Sequence, residues 1–100
     1  PFHRAFGERF ESYAPVEAET IASAIRIGDP VNYHKARRVI METEGTVVAV
    51  TDDEIMQAKA AVDRVGIGCE PASAAGLAGI RQLVDAGTIQ PGERVLTYLT

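Results

Sequence analysis

Residues 46–66, TVVAVTDDEIMQAKAAVDRVG, join a strand signal to a helix signal. Thr46 to Val50 is a short β-branched run, the composition of a strand. Thr51-Asp52-Asp53-Glu54 then reads as a capping box, in which the Thr51 hydroxyl accepts the Glu54 amide while the Glu54 carboxylate reaches back. Ile55, Ala58, Val62 and Val65 recur at helical spacing and predict the buried stripe of a helix, which Gly66 and Gly68 end.

Downstream, Glu70 to Ala86 predicts a long helix opened by Pro71 in its first turn and closed by Gly87. Pro91-Gly92 makes a turn, and Val95 to Leu99 reads as a second strand. Within the helix, Ala72 to Gly79 carries seven Ala, Ser or Gly side chains out of eight. Gly76 and Gly79 each cost about 1 kcal/mol relative to Ala inside a helix, so something must approach closely. Tight packing against a neighbouring element is one reason. A helix N-terminus presented to a ligand, with Glu70 and Ser73 at its mouth, is the other.

Upstream, Val31 to Glu44 places Tyr33, Ala36, Val39 and Ile40 on one face of a surface helix, with Asn32 as cap and Gly45 as stop. Glu19 to Ile27 predicts a turn or two of helix ending at Gly28-Asp29-Pro30. Gly28 serves either as that helix stop or as a place where backbone approaches a planar ligand without a Cβ in the way. Phe2, Phe6, Phe10 and Tyr13 recur at intervals of four, four and three, which fits a short helix whose aromatics cover a core. Helix alternates with strand, so the expected class is α/β: three long helices around at least two strands, paired in parallel. Residues 1–100 are expected to form one partial domain. The chain starts without methionine and stops at Thr100, inside a predicted strand, which suggests a piece of a longer protein.

Composition narrows the function. The chain is 46% hydrophobic with a net charge of −4, which argues against disorder. Its ten basic residues are scattered, and Arg37-Arg38 is the only adjacent pair, so nucleic acid is not a favoured partner. The longest apolar stretch, Pro71 to Ile80, falls short of the ~20 residues a membrane span needs. Residues 1–13 are too charged for a signal peptide, and the single Cys69 allows no internal disulfide. A soluble, cytoplasmic chain is expected. His3, His34 and Cys69 lie at no metal-ligand spacing, so no metal site is expected. The acids of Asp52-Asp53-Glu54 are accounted for by the cap and by the helix N-terminus.

Four ordered motifs carry a resemblance over 17–100. Residues 19–30, ETIASAIRIGDP, resemble "ETIATAIRIGNP" of the threonine synthase family, with Asp29 where Asn or Ser is usual. Thr51-Asp52-Asp53-Glu54-Ile55 is similar to that family's helix start. Glu70 to Ala75 matches its "EPASAA" box, and Val95 to Thr100 resembles the strand leading into "TGHGLKD" or "TGNGLKD".

The resemblance implies a fold type II enzyme dependent on pyridoxal 5′-phosphate, a lyase of amino-acid biosynthesis. It would turn O-phospho-L-homoserine and water into L-threonine and phosphate. On the same basis Thr100 is the hydroxyl facing the pyridine nitrogen, and a neutral hydroxyl there does not force that nitrogen to stay protonated. Gly28 and Ile27 would lie beside the cofactor, with Glu70 and Ser73 close to the site. The family's Schiff-base lysine and phosphate loop would lie upstream of this chain. Lys35 and Lys59 sit on predicted surface helices, so no catalytic residue is assigned here. The isolated piece is expected to be inactive and the full enzyme a homodimer. Cysteate synthase, threonine dehydratase and a non-catalytic α/β interaction module remain the alternatives.

Overall fold

A computed structural model describes residues 2–100, with Pro1 outside the described residues. In chain order its elements are α1 (Phe2–Gly7), one 3-10 turn (Ser23–Ile25), α2 (Tyr33–Glu42), α3 (Asp52–Arg64) and α4 (Pro71–Asp85). The chain divides into two compact units, Pro1–Glu19 with Arg26–Ala49 and Thr20–Ile25 with Val50–Thr100. No helix among the described residues is long and apolar enough to cross a membrane.

The second unit is built on α3 and α4, which pack against each other. The capping box forms as the sequence predicts. Thr51 Oγ1 accepts the Glu54 amide at 3.2 Å, and the Glu54 carboxylate accepts the Thr51 amide at 3.4 Å. Gly66 then turns the chain out of α3 at φ 84°, a conformation that glycine adopts without steric cost. Pro71 opens α4 where its missing N–H costs nothing, and Gly87 follows its end at φ 76°. Between the helices lie Ile55, Ala58, Ala74 and Ala78, joined by Ala22 from the 20–25 segment. Four of these five are alanines, so the helices approach closely and Ile55 is the one large side chain in the cluster. Its burial contributes about 2–3 kcal/mol.

Val65, expected in the same stripe, is instead 71% exposed. It is the C-cap of α3, at φ −90° and ψ 9°, where the backbone has left the helical path. The period that places Ile55, Ala58 and Val62 inside therefore no longer applies to it.

The first unit is aromatic. Tyr33, 7% exposed, opens α2 and is ringed by Phe2, Phe10 and Tyr13 at centroid distances of 5.6, 6.3 and 4.0 Å. Phe6 meets Phe10 edge-on, and the Arg37 guanidinium sits 5.7 Å from the Phe10 ring. The spaced aromatics thus cover a core, although α1 stops at Gly7. Along α2 only Tyr33 is buried; Val39 is 52% exposed, so the predicted stripe is narrower than expected. Asn32 stands at the N-cap without a side-chain capping bond. Glu44, one residue before the expected Gly45 stop, takes the left-handed turn at φ 52°.

Two expectations are corrected. The α/β class fails, because the described residues hold helices and no strand. Thr46–Val50 and Val95–Leu99 carry strand-type side chains, but a strand also needs a ladder partner for its N–H and C=O groups. Neither segment is part of a strand ladder among the described residues. The second runs along the surface, with Leu96 and Tyr98 each 82% exposed. The helix expected over 19–27 shrinks to the turn Ser23–Ile25, and the segment is divided between the two units after Glu19 and after Ile25.

Candidate functional site

At the N-terminus of α4 three polar side chains converge. Glu70 is the N-cap residue, yet its side chain makes no capping bond. Its carboxylate Oε1 accepts the Thr100 hydroxyl at 2.9 Å, while its amide donates to the Thr100 carbonyl at 2.9 Å. Ser73, one helical turn on, has Oγ 2.8 Å from Thr100 Oγ1 and accepts the Thr100 amide at 2.9 Å. A helix tolerates a carboxylate well at this end because the N-terminal amides carry partial positive charge.

The small residues of α4 have a packing reason. A Cβ built on Gly76 would lie 3.0 Å from Thr97 Oγ1, so the segment running to Thr100 passes close over the helix there. Of the two readings of Gly76, this approach supports close packing. That approach delivers Thr100 to Glu70 and Ser73.

The remaining predicted site residues, Ile27 and Gly28, belong to the other unit. Ile27 is 53% exposed. At Gly28 the space of a side chain is filled by the chain itself: an added Cβ would lie 1.8 Å from the Val16 carbonyl oxygen. The same two residues are joined by a bond from the Val16 amide to the Gly28 carbonyl at 3.0 Å. The 3-10 turn before it, Ser23–Ile25, already ends two residues short of Gly28.

Beside it, the Asp29 carboxylate accepts the Tyr13 hydroxyl at 2.6 Å. That hydrogen bond pushes the Tyr13 hydroxyl up to about 12 from its usual 10.0. A raised folded-state value means the bond stabilises below pH 10 and is lost as pH rises through about 12. Asp29→Asn should return Tyr13 ionisation toward its usual range. Ultraviolet titration of the tyrosinate band, compared with Tyr13→Phe, tests this; an unmoved late component would reject the pairing.

Sequence reasoning missed a second role of Asp52. Besides opening α3, its carboxylate accepts the Thr20 hydroxyl at 2.6 Å and the Ile21 amide at 3.0 Å, which tethers the segment that buries Ala22. Nothing local announces a tether spanning more than thirty residues. Neither lysine suits covalent chemistry. Lys35 is exposed on α2, and Lys59 Nζ lies 2.7 Å from the Asp63 carboxylate.

Comparison with known proteins places these features in context. The whole chain, residues 1–100, matches the family model described as pyridoxal-phosphate dependent enzyme. It is 53% identical over 83 residues to the threonine synthase of Methanosarcina acetivorans, covering 82% of this chain and 20% of that protein. Against the threonine synthase of Methanocaldococcus jannaschii, identity is 43% over 102 residues, covering 100% of this chain and 25% of the relative. The threonine synthase of Halalkalibacterium halodurans is 41% identical over 85 residues, with 84% and 24% covered. The chain thus spans about a fifth to a quarter of the length of these curated relatives.

Proposed function

This chain belongs to the pyridoxal-phosphate dependent enzyme family, and from that premise we propose that it is part of a threonine synthase. The parent enzyme takes O-phospho-L-homoserine and water to L-threonine and phosphate. The names of the relatives support the reaction. The observation that carries the site is the convergence of Glu70 and Ser73 on the Thr100 hydroxyl.

That cluster fits one end of the cofactor. Thr100 is exposed, and its hydroxyl oxygen has bonding capacity left after meeting Glu70 and Ser73. It is therefore suited to the cofactor's ring nitrogen, with Glu70 and Ser73 holding the hydroxyl in place. Ile27 and Gly28 are assigned to the cofactor's surroundings by the motif they share with the family. The lysine and the phosphate-binding glycines belong to the parent outside these residues. When bound, the cofactor supplies an electron sink for the carbon chemistry. This chain orients the ring end and keeps its hydroxyl fixed, which lowers the reorganisation needed during reaction. A cytoplasmic homodimer is part of the same proposal.

The test is phosphate release by the parent protein, loaded with pyridoxal phosphate, on O-phospho-L-homoserine and on O-phospho-L-serine. Release from the homoserine ester with threonine formed is the expected result. Turnover of the serine ester alone would move the chain to the cysteate-synthase branch, and silence on both would reject the reading.

A further inference from the structure

The first unit holds an open-mouthed cavity of about 320 Å³ between the end of α1 with its following turn and the end of α2. Its walls are apolar, with Phe6 and Phe10 from the first and Ile40 and Met41 from the second. Arg9 and Glu44 add one charge of each sign. The ion pairs among the described residues are Arg38–Glu42 and Lys59–Asp63, so Arg9 and Glu44 line one space without pairing. The backbone is unusual at the same place. Arg9, Phe10 and Glu44, at φ 56°, 58° and 52°, are the non-glycine residues in the left-handed region among those described, and all three line this cavity. A residue with a Cβ is disfavoured there. The ending of two helices accounts for the backbone: the Phe10 amide reaches the Ala5 carbonyl at 2.7 Å, and the Gly45 amide reaches the Ile40 carbonyl at 2.8 Å. It does not account for the residues chosen. Glycine would cost least at the left-handed position, yet Glu44 occupies it and Gly45 stands one place beyond.

We propose that this cavity binds a free α-amino acid with an apolar side chain. None of its residues is among those assigned to the cofactor, and the proposal does not depend on the reaction given to the parent. Charge decides the class of ligand. A simple anion at Arg9 would face the Glu44 carboxylate, and a simple cation at Glu44 would face the Arg9 guanidinium. A zwitterion satisfies both. Arg9 suits the α-carboxylate because its planar fork donates two parallel hydrogen bonds. Glu44 suits the α-ammonium, aided by the partial negative charge of the last α2 carbonyls. Phe6, Phe10, Ile40 and Met41 are left for the side chain, whose burial supplies the hydrophobic part of the affinity. Size points the same way. A cavity of about 320 Å³ stands at the small end of ligand sites and suits an amino acid better than a nucleotide.

The experiment is calorimetric titration of L-leucine into the parent holoenzyme, with cofactor absorbance followed in parallel. An amino acid that reaches the cofactor changes its absorbance, whereas one bound in this cavity gives heat and leaves the spectrum alone. The expected result is saturable binding of one L-leucine per chain with unchanged absorbance. L-Leucinamide lacks the carboxylate and N-acetyl-L-leucine lacks the ammonium, so each should bind at least about tenfold more weakly. Glu44→Gly removes the carboxylate together with the disfavoured left-handed side chain. Thermal melting should therefore show that this variant folds, while its affinity for L-leucine falls by the same factor. Arg9→Gln should make L-leucine and L-leucinamide bind alike, which assigns the carboxylate to Arg9. Absence of saturable heat with L-leucine overturns the proposal, as does an affinity untouched by Glu44→Gly. A preference for L-leucine over its amide that survives Arg9→Gln overturns it too. Heat that appears only with a change in absorbance places the amino acid at the cofactor and rejects this cavity.

Discussion

The isolated 100-residue chain should release no phosphate from O-phospho-L-homoserine, even with excess pyridoxal phosphate, whereas the parent should release it. The expected loss is the whole catalytic acceleration, at least about 10⁶-fold. An amine that forms a covalent link with a carbonyl must be unprotonated, and enzymes arrange this by desolvating it or placing it beside other cations. Lys59 has the opposite setting. The hydrogen bond to Asp63 pushes it above its ordinary value and keeps it charged. Lys35 stands exposed on α2, open to water. The glycines with left-handed backbone, Gly66, Gly87 and Gly92, are spaced singly along the chain and form no cluster of amides for a phosphate. In the parent, Lys35→Arg and Lys59→Arg should each leave turnover within about two-fold, as surface substitutions do. Threonine formed by the isolated chain, or abolished by either substitution, would show that the lysine chemistry has been misplaced.

What could be read in the sequence was what is specified locally. The capping box of Thr51 and Glu54, Pro71 at the start of α4, and Gly66 and Gly87 after the helix ends all act within four residues of themselves, and all appear as expected. Glu70 and Ser73 are three residues apart, so a helix through them sets both on one turn. Features made by distant residues could not be read this way. Strand character in 46–50 and 95–99 is a property of side chains, whereas a strand is a property of pairs. The Asp52 tether spans 31 residues to Ile21, beside a stretch that forms a single turn where a longer helix was predicted. Thr100 reaches Glu70 across 30 residues. Only the resemblance of its motif to a family, not spacing or periodicity, marked Thr100 as a site residue.

Gly28→Ala should be the most damaging single-methyl change in the chain, and it should act without any cofactor. The added Cβ would sit 1.8 Å from the Val16 carbonyl oxygen and 3.0 Å from its carbon, both backbone atoms. A flexible side chain could swing away from such an overlap, but this backbone is held by the 3.0 Å bond between the Val16 amide and the Gly28 carbonyl. Relief requires the two strands of chain to part, which loses that bond and disturbs the neighbouring pairing of Tyr13 with Asp29. Overpacking with loss of a backbone hydrogen bond costs about 3 kcal/mol or more. The measurement is denaturant unfolding of the parent apoenzyme beside cofactor affinity of the holoenzyme. If Val16 is the reason for glycine here, apo stability falls by that amount and affinity declines only as a consequence. If the glycine instead makes room for the ring, apo stability is preserved and affinity alone collapses. Both effects at full strength would mean that one small position serves two close approaches, with the Val16 contact building the surface on which the ligand rests.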